Sequence, residues 1–415
     1  MPISIAGAGV GGLTAALSLH AAGRDDVVVF EAAREIRDVG VGINLPPHAV
    51  RELSELGLGD ALAAIGVRTK ELAYYDPAGQ LIWAEPRGLD AGYRWPQYSV
   101  HRGQLQRLLV DAVRQRLGAS AIRVGRRATG IDVHSGHDGG VAMLAVDVET
   151  GRSESHPADV VVAADGIRSA LRDSLYGAPT AIASNGWVMY RGAAKAGPFL
   201  TGQSMVIVGD EKQRVVVYPI APGLINWLLV RPADKNRSDA ELGNWNVPIA
   251  SDAVAAFARD YRFSWLDVHE LIASTAYAYE YPMVDIDPLP RWVFGRGALL
   301  GDSAHAMYPF GSNGASQAIL DARVFAYQVA TAPSIDEALL AYESERRPVA
   351  IEVQLANRRQ AGDVMARVSA MARRGAHGDA ATELQDIERR YKQLAGFDVN
   401  ALNDRKSWSV HATPS

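Results

Sequence analysis

The chain has 415 residues, of which 48% are hydrophobic and 21% are charged, a balance typical of soluble globular proteins. This length predicts two to three domain-sized units. A formal net charge of −5 gives no general attraction to nucleic acids or anionic membranes, and the absence of cysteine excludes disulfides and thiolate metal sites. We therefore expect a cytoplasmic protein without nucleic-acid, membrane or metal-binding function.

The first predicted unit is a strand, a glycine-rich turn, a helix and a second strand. Residues 3–6 are β-prone, residues 13–20 have apolar side chains at helical spacing, and the β run 27–30 ends at Glu31. The pattern G-x-G-x-x-G lies between the first strand and the helix, at Gly7, Gly9 and Gly12. Such glycines allow a tight turn, backbone approach to a pyrophosphate and close packing of helix on strand. With an acid positioned for a ribose, the unit predicts dinucleotide binding.

The middle of the chain has patterns typical of strands. Two short strands are expected at 71–75 and 80–85, and residues 121–162 form a hairpin-rich stretch. Four further runs between Gly186 and Pro232 predict an antiparallel sheet, at residues 187–193, 204–208, 214–220 and 225–231. Because none of these runs resembles a phosphate loop, we interpret them as a second domain inserted into the first.

A nucleotide-type pattern returns late in the chain. The β run at 297–300 ends at Gly301-Asp302, and a loop rich in proline, glycine and asparagine leads into a helix that begins near Ala315. The N-terminus of such a helix carries about half a positive charge and stabilises an anion. The remaining residues have helical patterns, with a capping box predicted at 334–337.

Three segments of the chain, taken together, resemble those of a known family. They are the N-terminal glycine motif with its acid, the pair Asp165-Gly166 with Arg168, and the pair Gly301-Asp302. In this order they resemble the group A flavin-dependent aromatic hydroxylases, the para-hydroxybenzoate and salicylate hydroxylase family, and within it the phenazine monooxygenases. The likeness to the phenazine enzymes rests on longer phrases, at residues 35–37, 40–44, 95–103, 281–290 and 313–321.

The resemblance implies an α/β fold class and a division of the chain. The implied fold consists of a discontinuous Rossmann-like FAD-binding domain, an inserted antiparallel-sheet substrate domain and a helical C-terminal region. The implied bounds are 1–72, 99–178 and 293–365 for the FAD-binding domain, 73–98 and 179–292 for the β-rich substrate domain, and 366–415 for the C-terminal helical tail.

The resemblance also implies bound FAD, with NADH or NADPH as a transient co-substrate that the sequence does not distinguish. The implied FAD-binding residues are Gly7, Gly9, Val10, Gly11, Gly12, Glu31, Val41, Gly42, Arg102, Asp165, Gly166, Gly301, Asp302, Pro309, Gly314 and Ala315. The family commonly has Gly-x-Asn where this chain has Gly314-Ala315-Ser316. We therefore expect backbone N–H groups, rather than a side-chain amide, to contact the flavin there.

The implied activity is hydroxylation of a phenazine- or salicylate-like acid, with or without loss of its carboxylate. NAD(P)H reduces the FAD, and O₂ forms a flavin C4a-hydroperoxide that transfers oxygen to the ring. The implied catalytic residues stabilise the reduced flavin or move protons, and they are Pro309, Gly311, Gly314, Ala315 and His305. Substrate contacts are expected from the inserted sheet at Trp187, Met189, Arg191, Val206, Val208, Val217 and Tyr218. Among these, Arg191 is the candidate partner for a carboxylate.

Two other functions fit the same residues. One keeps the fold but changes the reaction to that of a reductase, an epoxidase or a Baeyer–Villiger-type oxygenase acting on a polyketide. The other is a scaffold or sensor that holds flavin without turnover. The amphipathic C-terminal helices fit either a monomer or a homodimer.

Overall fold

A computed structural model describes residues 2–37, 40–133, 140–233, 247–359 and 365–410, with only the backbone of residues 365–366. The strands are β1 (Ile3–Ala6), β2 (Val27–Glu31), β3 (Gly42–Leu45), β4 (Gly66–Thr69), β5 (Glu71–Tyr75), β6 (Leu81–Pro86), β7 (Gln97–His101), β8 (Ile122–Val124), β9 (Arg126–Asp132), β10 (Val141–Asp147), β11 (Ser153–Ala158), β12 (Val160–Ala163), β13 (Ile182–Lys195), β14 (Ser204–Gly209), β15 (Arg214–Ala221), β16 (Leu224–Pro232), β17 (Val247–Ile249), β18 (Arg262–Phe263), β19 (Leu266–Asp267), β20 (Ala278–Ile286), β21 (Val293–Phe294) and β22 (Gly297–Leu299).

The α-helices alternate with these strands in the first part of the chain and dominate its end. They are α1 (Val10–Ala21), α2 (Pro47–Glu55), α3 (Gly59–Ile65), α4 (Arg102–Leu117), α5 (Ala170–Tyr176), α6 (Ser251–Ala255), α7 (Val268–Ala273), α8 (Asp302–His305), α9 (Gly314–Thr331), α10 (Ile335–Arg359), α11 (Met365–Arg373), α12 (His377–Leu394) and α13 (Val399–Asp404). Residues 134–139 of the predicted hairpin stretch and 411–415 of the predicted tail lie outside the described residues.

The first sheet has the strand order β21-β22-β12-β1-β2-β8 and is parallel apart from β21. Strands β1 and β12 are completely buried, which suits their continuous apolar sequences. Helices α1, α4 and α9 pack beside it through apolar side chains such as Leu13, Leu105 and Ile319. Because β1, β12 and β22 run the same way, the segments that follow them meet at one edge of the sheet, where ligands bind in such folds.

The second sheet has the strand order β17-β20-β13-β16-β15-β14-β5-β6. It contains the four strands predicted between Gly186 and Pro232, with longer bounds, and also β5 and β6. All neighbouring strands are antiparallel except β14 and β5, which are parallel. One face packs on α6 and α7 through Val206, Val208 and Val217, which are fully buried in a common core with Val254 and Leu271.

The C-terminal helices return to the second sheet and cover part of its other face. Helix α10 begins with the predicted cap, since the backbone N–H of Glu337 donates to the Ser334 hydroxyl at 3.2 Å. Helix α12 packs on β5 and β14, where Leu384 shares a core with Leu72 and Met205. In the described part of the chain, no helix combines the length and apolarity needed to cross a bilayer.

A buried ionic network joins α8, α9 and α10. The Asp321 carboxylate, with no exposed surface, accepts hydrogen bonds from His305 Nε2 at 2.5 Å, Arg346 Nε at 2.8 Å and the Gly301 backbone N–H at 3.0 Å. Arg346 also donates to the Gln317 side chain at 2.7 Å. Burial raises the pKa of Asp321, but the opposing charges of His305 and Arg346 outweigh it and hold this pKa below its usual value. The network fixes the turn at Gly301 to the start of α9.

Substitution of Asp321 by Asn should destabilise the fold in a pH-dependent way. Because the pKa is lowered in the folded state, the carboxylate stabilises the fold above the unfolded pKa of about 3.9 and loses this effect as the pH falls through the folded value. We expect Asp321→Asn to lower the free energy of unfolding by about 3 kcal/mol at neutral pH. Urea unfolding at neutral and acidic pH measures the difference, which should shrink in acid.

The matched control is Asp386→Asn, which removes an exposed carboxylate 2.8 Å from Arg389 on one face of α12. Exposed pairs of this kind contribute little, so this variant should unfold like the unsubstituted protein. Equal destabilisation by the two substitutions, or a deficit for Asp321→Asn that is constant with pH, would contradict the structural role of the network.

Candidate active site

A cavity of about 510 Å³ lies where the edge of the first sheet faces the second. Its wall includes the start of α1, one face of the second sheet, the segment from β22 to α9, and α12, with smaller contributions from β3, the start of α4 and the segment after β12. Residues from these parts include Gly9, Leu228, Gly314 and Tyr391. The segments predicted to carry the chemistry are therefore brought to one cavity.

The N-terminus of α1 lies at this cavity, and no side chain caps the backbone N–H groups of its first turn. Gly9 is the N-cap and makes no side-chain hydrogen bond, so the first backbone N–H groups of the helix lack a partner. A Cβ atom added to Gly9 would meet nothing within 4 Å, whereas one added to Gly12 would lie 2.1 Å from the Gly7 carbonyl oxygen. Gly12 is thus required by helix packing, and Gly9 leaves a free approach to the helix N-terminus.

Glu31 lies at the end of β2, beside the same turn. Its carboxylate accepts hydrogen bonds from the backbone N–H groups of Ala8 at 2.9 Å and Ala33 at 2.8 Å. Each oxygen keeps a further lone pair available to a ligand hydroxyl. Together, the free N–H groups and the held carboxylate form a donor set that fits the pyrophosphate and ribose of a dinucleotide such as FAD.

A second helix N-terminus, that of α9, faces the cavity from the other side. Its N-cap, Asn313, makes no side-chain capping hydrogen bond, so the N–H groups of Gly314 and Ala315 are free of intrahelical partners. The preceding loop turns sharply at Gly311, with φ 70°, where an added Cβ would lie 2.5 Å from the Tyr391 ring. This loop therefore depends on contact with α12.

His48 fixes Asn313 from behind. Burial lowers the pKa of His48 to about 3, so the imidazole is neutral at physiological pH. Its Nε2 lies 2.9 Å from Asn313 Oδ1, and its ring stacks on Phe397 with centroids 4.6 Å apart. A neutral imidazole that donates to the Asn313 carbonyl holds the start of α9 without adding charge to the cavity wall.

The second sheet supplies the largest apolar part of the wall through two rows of cross-strand neighbours. The first row runs across five strands through Tyr74, Ile207, Val216, Leu228 and Arg191. The second row runs across four strands through Arg214, Val230, Met189 and Tyr281. All of these residues except Tyr281 line the cavity. The result is a broad, mainly aliphatic surface with an arginine in each row.

Helix α12 is held over this surface by an ionic cluster. Arg87 lies 2.6 Å from Glu85 and 2.9 Å from Glu388, and Lys392 lies 2.8 Å from Glu85. The Tyr74 hydroxyl donates to Glu388 at 3.1 Å. These contacts join α12 to β5 and β6, so the C-terminal region closes one side of the cavity.

The structure brings most of the sequence-predicted residues to the wall. They are Gly9, Val10, Gly11, Gly42, Arg102, Gly166, Gly301, Asp302, Pro309, Gly311, Gly314 and Ala315, together with Met189, Arg191 and Tyr218 from the sheet. Five predicted FAD-binding residues lie outside the wall, namely Gly7, Gly12, Glu31, Val41 and Asp165. Asp165 instead accepts hydrogen bonds from the Ser169 hydroxyl at 2.5 Å and the Leu171 N–H at 3.3 Å. Burial raises the pKa of this carboxyl.

Other predicted residues lie elsewhere. His305 is fully buried and paired with Asp321, away from the wall. Val206, Val208 and Val217 point to the opposite face of the sheet, because successive side chains on a strand alternate between faces. Trp187 is outside the wall, but its ring centroid lies 5.2 Å from the guanidinium carbon of Arg214.

Several wall residues are not among those predicted from the sequence. Ile207, Val216 and Val230 could have been found by extending the two-residue period from Met189 and Arg191 across the register of the sheet. The sequences of the valine-rich strands do not show which face lines the cavity and which packs on the core, because both faces are apolar. Residues on α12 had no local signal, because only the tertiary fold brings them to the cavity.

These features define a class of protein: an α/β nucleotide-binding fold whose second sheet and helix α12 line a cavity beside the nucleotide site. The sequence matches the family described as FAD binding domain over residues 1–355. It is 44% identical over 371 residues to "Phenazine 1,6-dicarboxylic acid hydroxylase PhzS" of Lysobacter antibioticus, covering 86% of this chain and 89% of that protein. A salicylate hydroxylase of Pseudomonas putida is 29% identical over 383 residues, covering 85% and 83%.

Among solved structures, Klebsiella pneumoniae HpxO in complex with FAD and uric acid superposes with a TM-score of 0.77. The identity is 25%, over 95% of this chain and 96% of that chain. The chain therefore belongs to the FAD binding domain family, within the group A flavin-dependent aromatic hydroxylases. It is an FAD-dependent monooxygenase that uses NAD(P)H and O₂ to hydroxylate an aromatic compound, as the sequence predicts.

Two glycine substitutions should separate the packing role of the turn from ligand binding. Gly12→Ala places a methyl group 2.1 Å from the Gly7 carbonyl oxygen, and we expect it to destabilise the apoprotein by about 2–3 kcal/mol. Gly9→Ala meets no protein atom within 4 Å, so the apoprotein should keep its melting temperature while FAD affinity falls roughly tenfold or more. Thermal melts of apoprotein and fluorescence titration with FAD measure the two effects. A stable Gly12→Ala protein, or a Gly9→Ala protein with unchanged FAD affinity, would contradict this division.

Proposed function

We propose that the enzyme hydroxylates a flat, polycyclic aromatic acid of the phenazine carboxylic acid type. The observation that carries this proposal is the broad apolar surface of the second sheet, which has a buried arginine in one row and a half-buried one in the other and lies beside the N-terminus of α9. Flat rings bury large apolar areas on such a surface, and arginine binds a carboxylate through two parallel hydrogen bonds. The similarity to the phenazine 1,6-dicarboxylic acid hydroxylase supports the same substrate class.

The nucleotide side of the site would be held by backbone groups. The N–H groups at the start of α1 are suited to the pyrophosphate of FAD, and Glu31 to the adenosine ribose. When bound, FAD takes hydride from NAD(P)H and activates O₂ for transfer to the aromatic ring. The free N–H groups of Gly314 and Ala315 and the positive end of the α9 dipole would stabilise negative charge on the reduced flavin.

The apolar wall excludes water from the reaction space. Met189, Val230 and Met283 are at most 8% exposed, and α12 covers the part of the wall formed by β5 and β14. Exclusion of water strengthens electrostatic interactions within the site and limits side reactions of activated oxygen. The chain thereby supplies orientation and enclosure, while the redox chemistry is that of the cofactor.

We assign His305 a positioning role in place of proton transfer to the substrate. Its Nε2 is bound to Asp321, and that carboxylate in turn holds the Gly301 N–H next to the predicted flavin ligand Asp302. This arrangement supports the turn at Gly301 from within the core. Residues 73–98 and 179–292 would form the substrate domain around the second sheet.

We further propose that the enzyme works in the cytoplasm, as a monomer or a homodimer. The requirement for NAD(P)H and the absence of cysteine from all 415 residues support a reducing compartment.

Turnover with matched aromatic substrates tests the proposed function. Purified enzyme loaded with FAD should be yellow, and phenazine-1-carboxylate should accelerate NAD(P)H oxidation more than salicylate does, because the broad wall favours the larger ring system. Under ¹⁸O₂ the product should contain one labelled oxygen on its ring, and its mass shows whether the carboxylate is kept or lost. Titration with NADH and with NADPH identifies the reductant.

Three outcomes would contradict the proposal. NAD(P)H oxidation that stays at background across a panel of aromatic acids would favour a flavin-binding scaffold. An epoxide or an oxygen-inserted ester as product would point to another class of oxygenase. Oxidation of NAD(P)H with no labelled product for any aromatic acid would indicate a reductase or oxidase.

A further inference from the structure

Arg214 is a buried arginine whose guanidinium has no acidic partner. The residue begins β15, is only 6% exposed and lines the cavity. Within the described ranges its guanidinium makes neither a hydrogen bond nor an ion pair, and its Nε is fully buried without an acceptor. A guanidinium has five N–H donors, and leaving them unsatisfied in a protein interior is costly.

Two aromatic rings form the immediate surroundings of this guanidinium. Its central carbon lies 5.2 Å from the Trp187 ring centroid and 5.4 Å from that of Phe310. These rings attract the charge through their faces but offer no lone pair to the N–H groups. Burial lowers the pKa of Arg214 to about 10, so the group still carries its charge at neutral pH. The fold thus holds a cation that is positioned by rings and forms no ion pair within the described residues, although the charge of Asp210 acts on it from a distance and favours the charged form.

Two other arginines that line the cavity, Arg87 and Arg191, have protein partners. Arg87 is paired with both Glu85 and Glu388. Arg191 donates from Nη2 to the Gly42 carbonyl at 2.8 Å and lies over the Tyr281 ring at 5.3 Å, so it ties β13 to β3. Arg214 differs from both because, within the described residues, its two terminal nitrogens make no hydrogen bond and no ion pair, whereas its Nε is buried and out of a ligand's reach.

We propose that Arg214 is the carboxylate anchor of the substrate site, a role that the sequence analysis gave to Arg191. In this arrangement the guanidinium of Arg214 takes the substrate carboxylate in a two-point hydrogen bond. The ring system then lies over Val230 and Met189 of the same row, beside Phe310 and the loop that leads to α9. This inference rests on the proposed function, because it concerns how that site selects an acid.

The position of the anchor has a consequence for selectivity. Phe310 follows Pro309 directly, so a carboxylate held at Arg214 fixes the substrate relative to the loop that is predicted to contact the flavin. Acids are then favoured over neutral compounds of the same shape, because a neutral ligand leaves the buried charge without a counter-ion. Arg214 therefore determines both which aromatic compounds bind and which edge of the ring is presented.

A pair of ligands that differ only in charge tests this inference. The FAD-loaded enzyme is titrated with phenazine-1-carboxylate and with phenazine-1-carboxamide, and the dissociation constants are measured from the change in the ligand and flavin absorbance. The unsubstituted enzyme should bind the acid at least about 30-fold more tightly than the amide, a factor equal to about 2 kcal/mol. In Arg214→Met this preference should disappear through weaker binding of the acid, with amide binding changed less than about threefold.

Two further variants control the experiment. Arg231→Met removes another arginine that stacks on a ring, 3.9 Å from the Phe257 centroid, but lies outside the cavity wall, and it should leave both affinities unchanged. Arg214→Lys keeps the charge without the two-point geometry and should retain part of the preference. Because Arg214→Met leaves no carboxylate unpaired, its melting temperature should equal or exceed that of the unsubstituted enzyme, unlike a variant that removes a structural ion pair.

Failure of the inference and failure of the proposed function give different results. Equal binding of both ligands to the unsubstituted enzyme would show that the anchor is elsewhere. The same conclusion follows if Arg214→Met weakens the binding of both ligands to the same extent, or of neither. In each of these cases hydroxylation of the acid can still be observed. If neither ligand binds and neither accelerates NAD(P)H oxidation, the substrate class itself is wrong and the inference falls with it.

Discussion

Unpaired backbone N–H groups at two helix N-termini are the constraint on which the rest of this structure depends. Helices α1 and α9 both begin at the cavity without a capping side chain, and each therefore presents several donors and the positive end of a helix dipole. These half-buried donors face the cavity, and the donor set fits a ligand that is anionic in two separate places. FAD is such a ligand, with a pyrophosphate at one end and a flavin that becomes anionic on reduction at the other.

The interior of the first sheet keeps these two helix starts in place. The Asp321 network ties the turn at Gly301 to α9 and α10, while the close approach of Gly12 to Gly7 sets α1 against β1. His48 adds a neutral support behind Asn313. None of these groups touches the reaction space directly, so they act by positioning backbone that does.

Local chemistry explains which parts of the site could be predicted from the sequence. The glycine turn before α1 and the loop before α9 each consist of neighbouring residues with specific backbone requirements. Glu31 follows the turn at a fixed distance along the chain, so both segments can be recognised from the sequence. Family membership, the fold class and the FAD requirement follow from them and are confirmed by the comparisons. The domain bounds and the roles of individual residues stay predictions.

The substrate side could not be predicted to the same degree, because it depends on the register between strands that are distant in sequence. Val206 and Ile207 are adjacent and both apolar, yet one belongs to the core and the other to the cavity wall. Arg214 is one of 42 lysines and arginines in the sequence, and its burial beside two aromatic rings is visible only in the folded structure. The contribution of α12 likewise arises from tertiary contacts alone.

The most direct test of the central claim is a crystal structure of the FAD-loaded enzyme. The account predicts the pyrophosphate at the N–H groups of Val10 and Gly11, and the isoalloxazine beside Gly314 and Ala315, with its free face toward Met189 and Leu228. An isoalloxazine located away from the start of α9, or a pyrophosphate bound elsewhere than the α1 N-terminus, would contradict it.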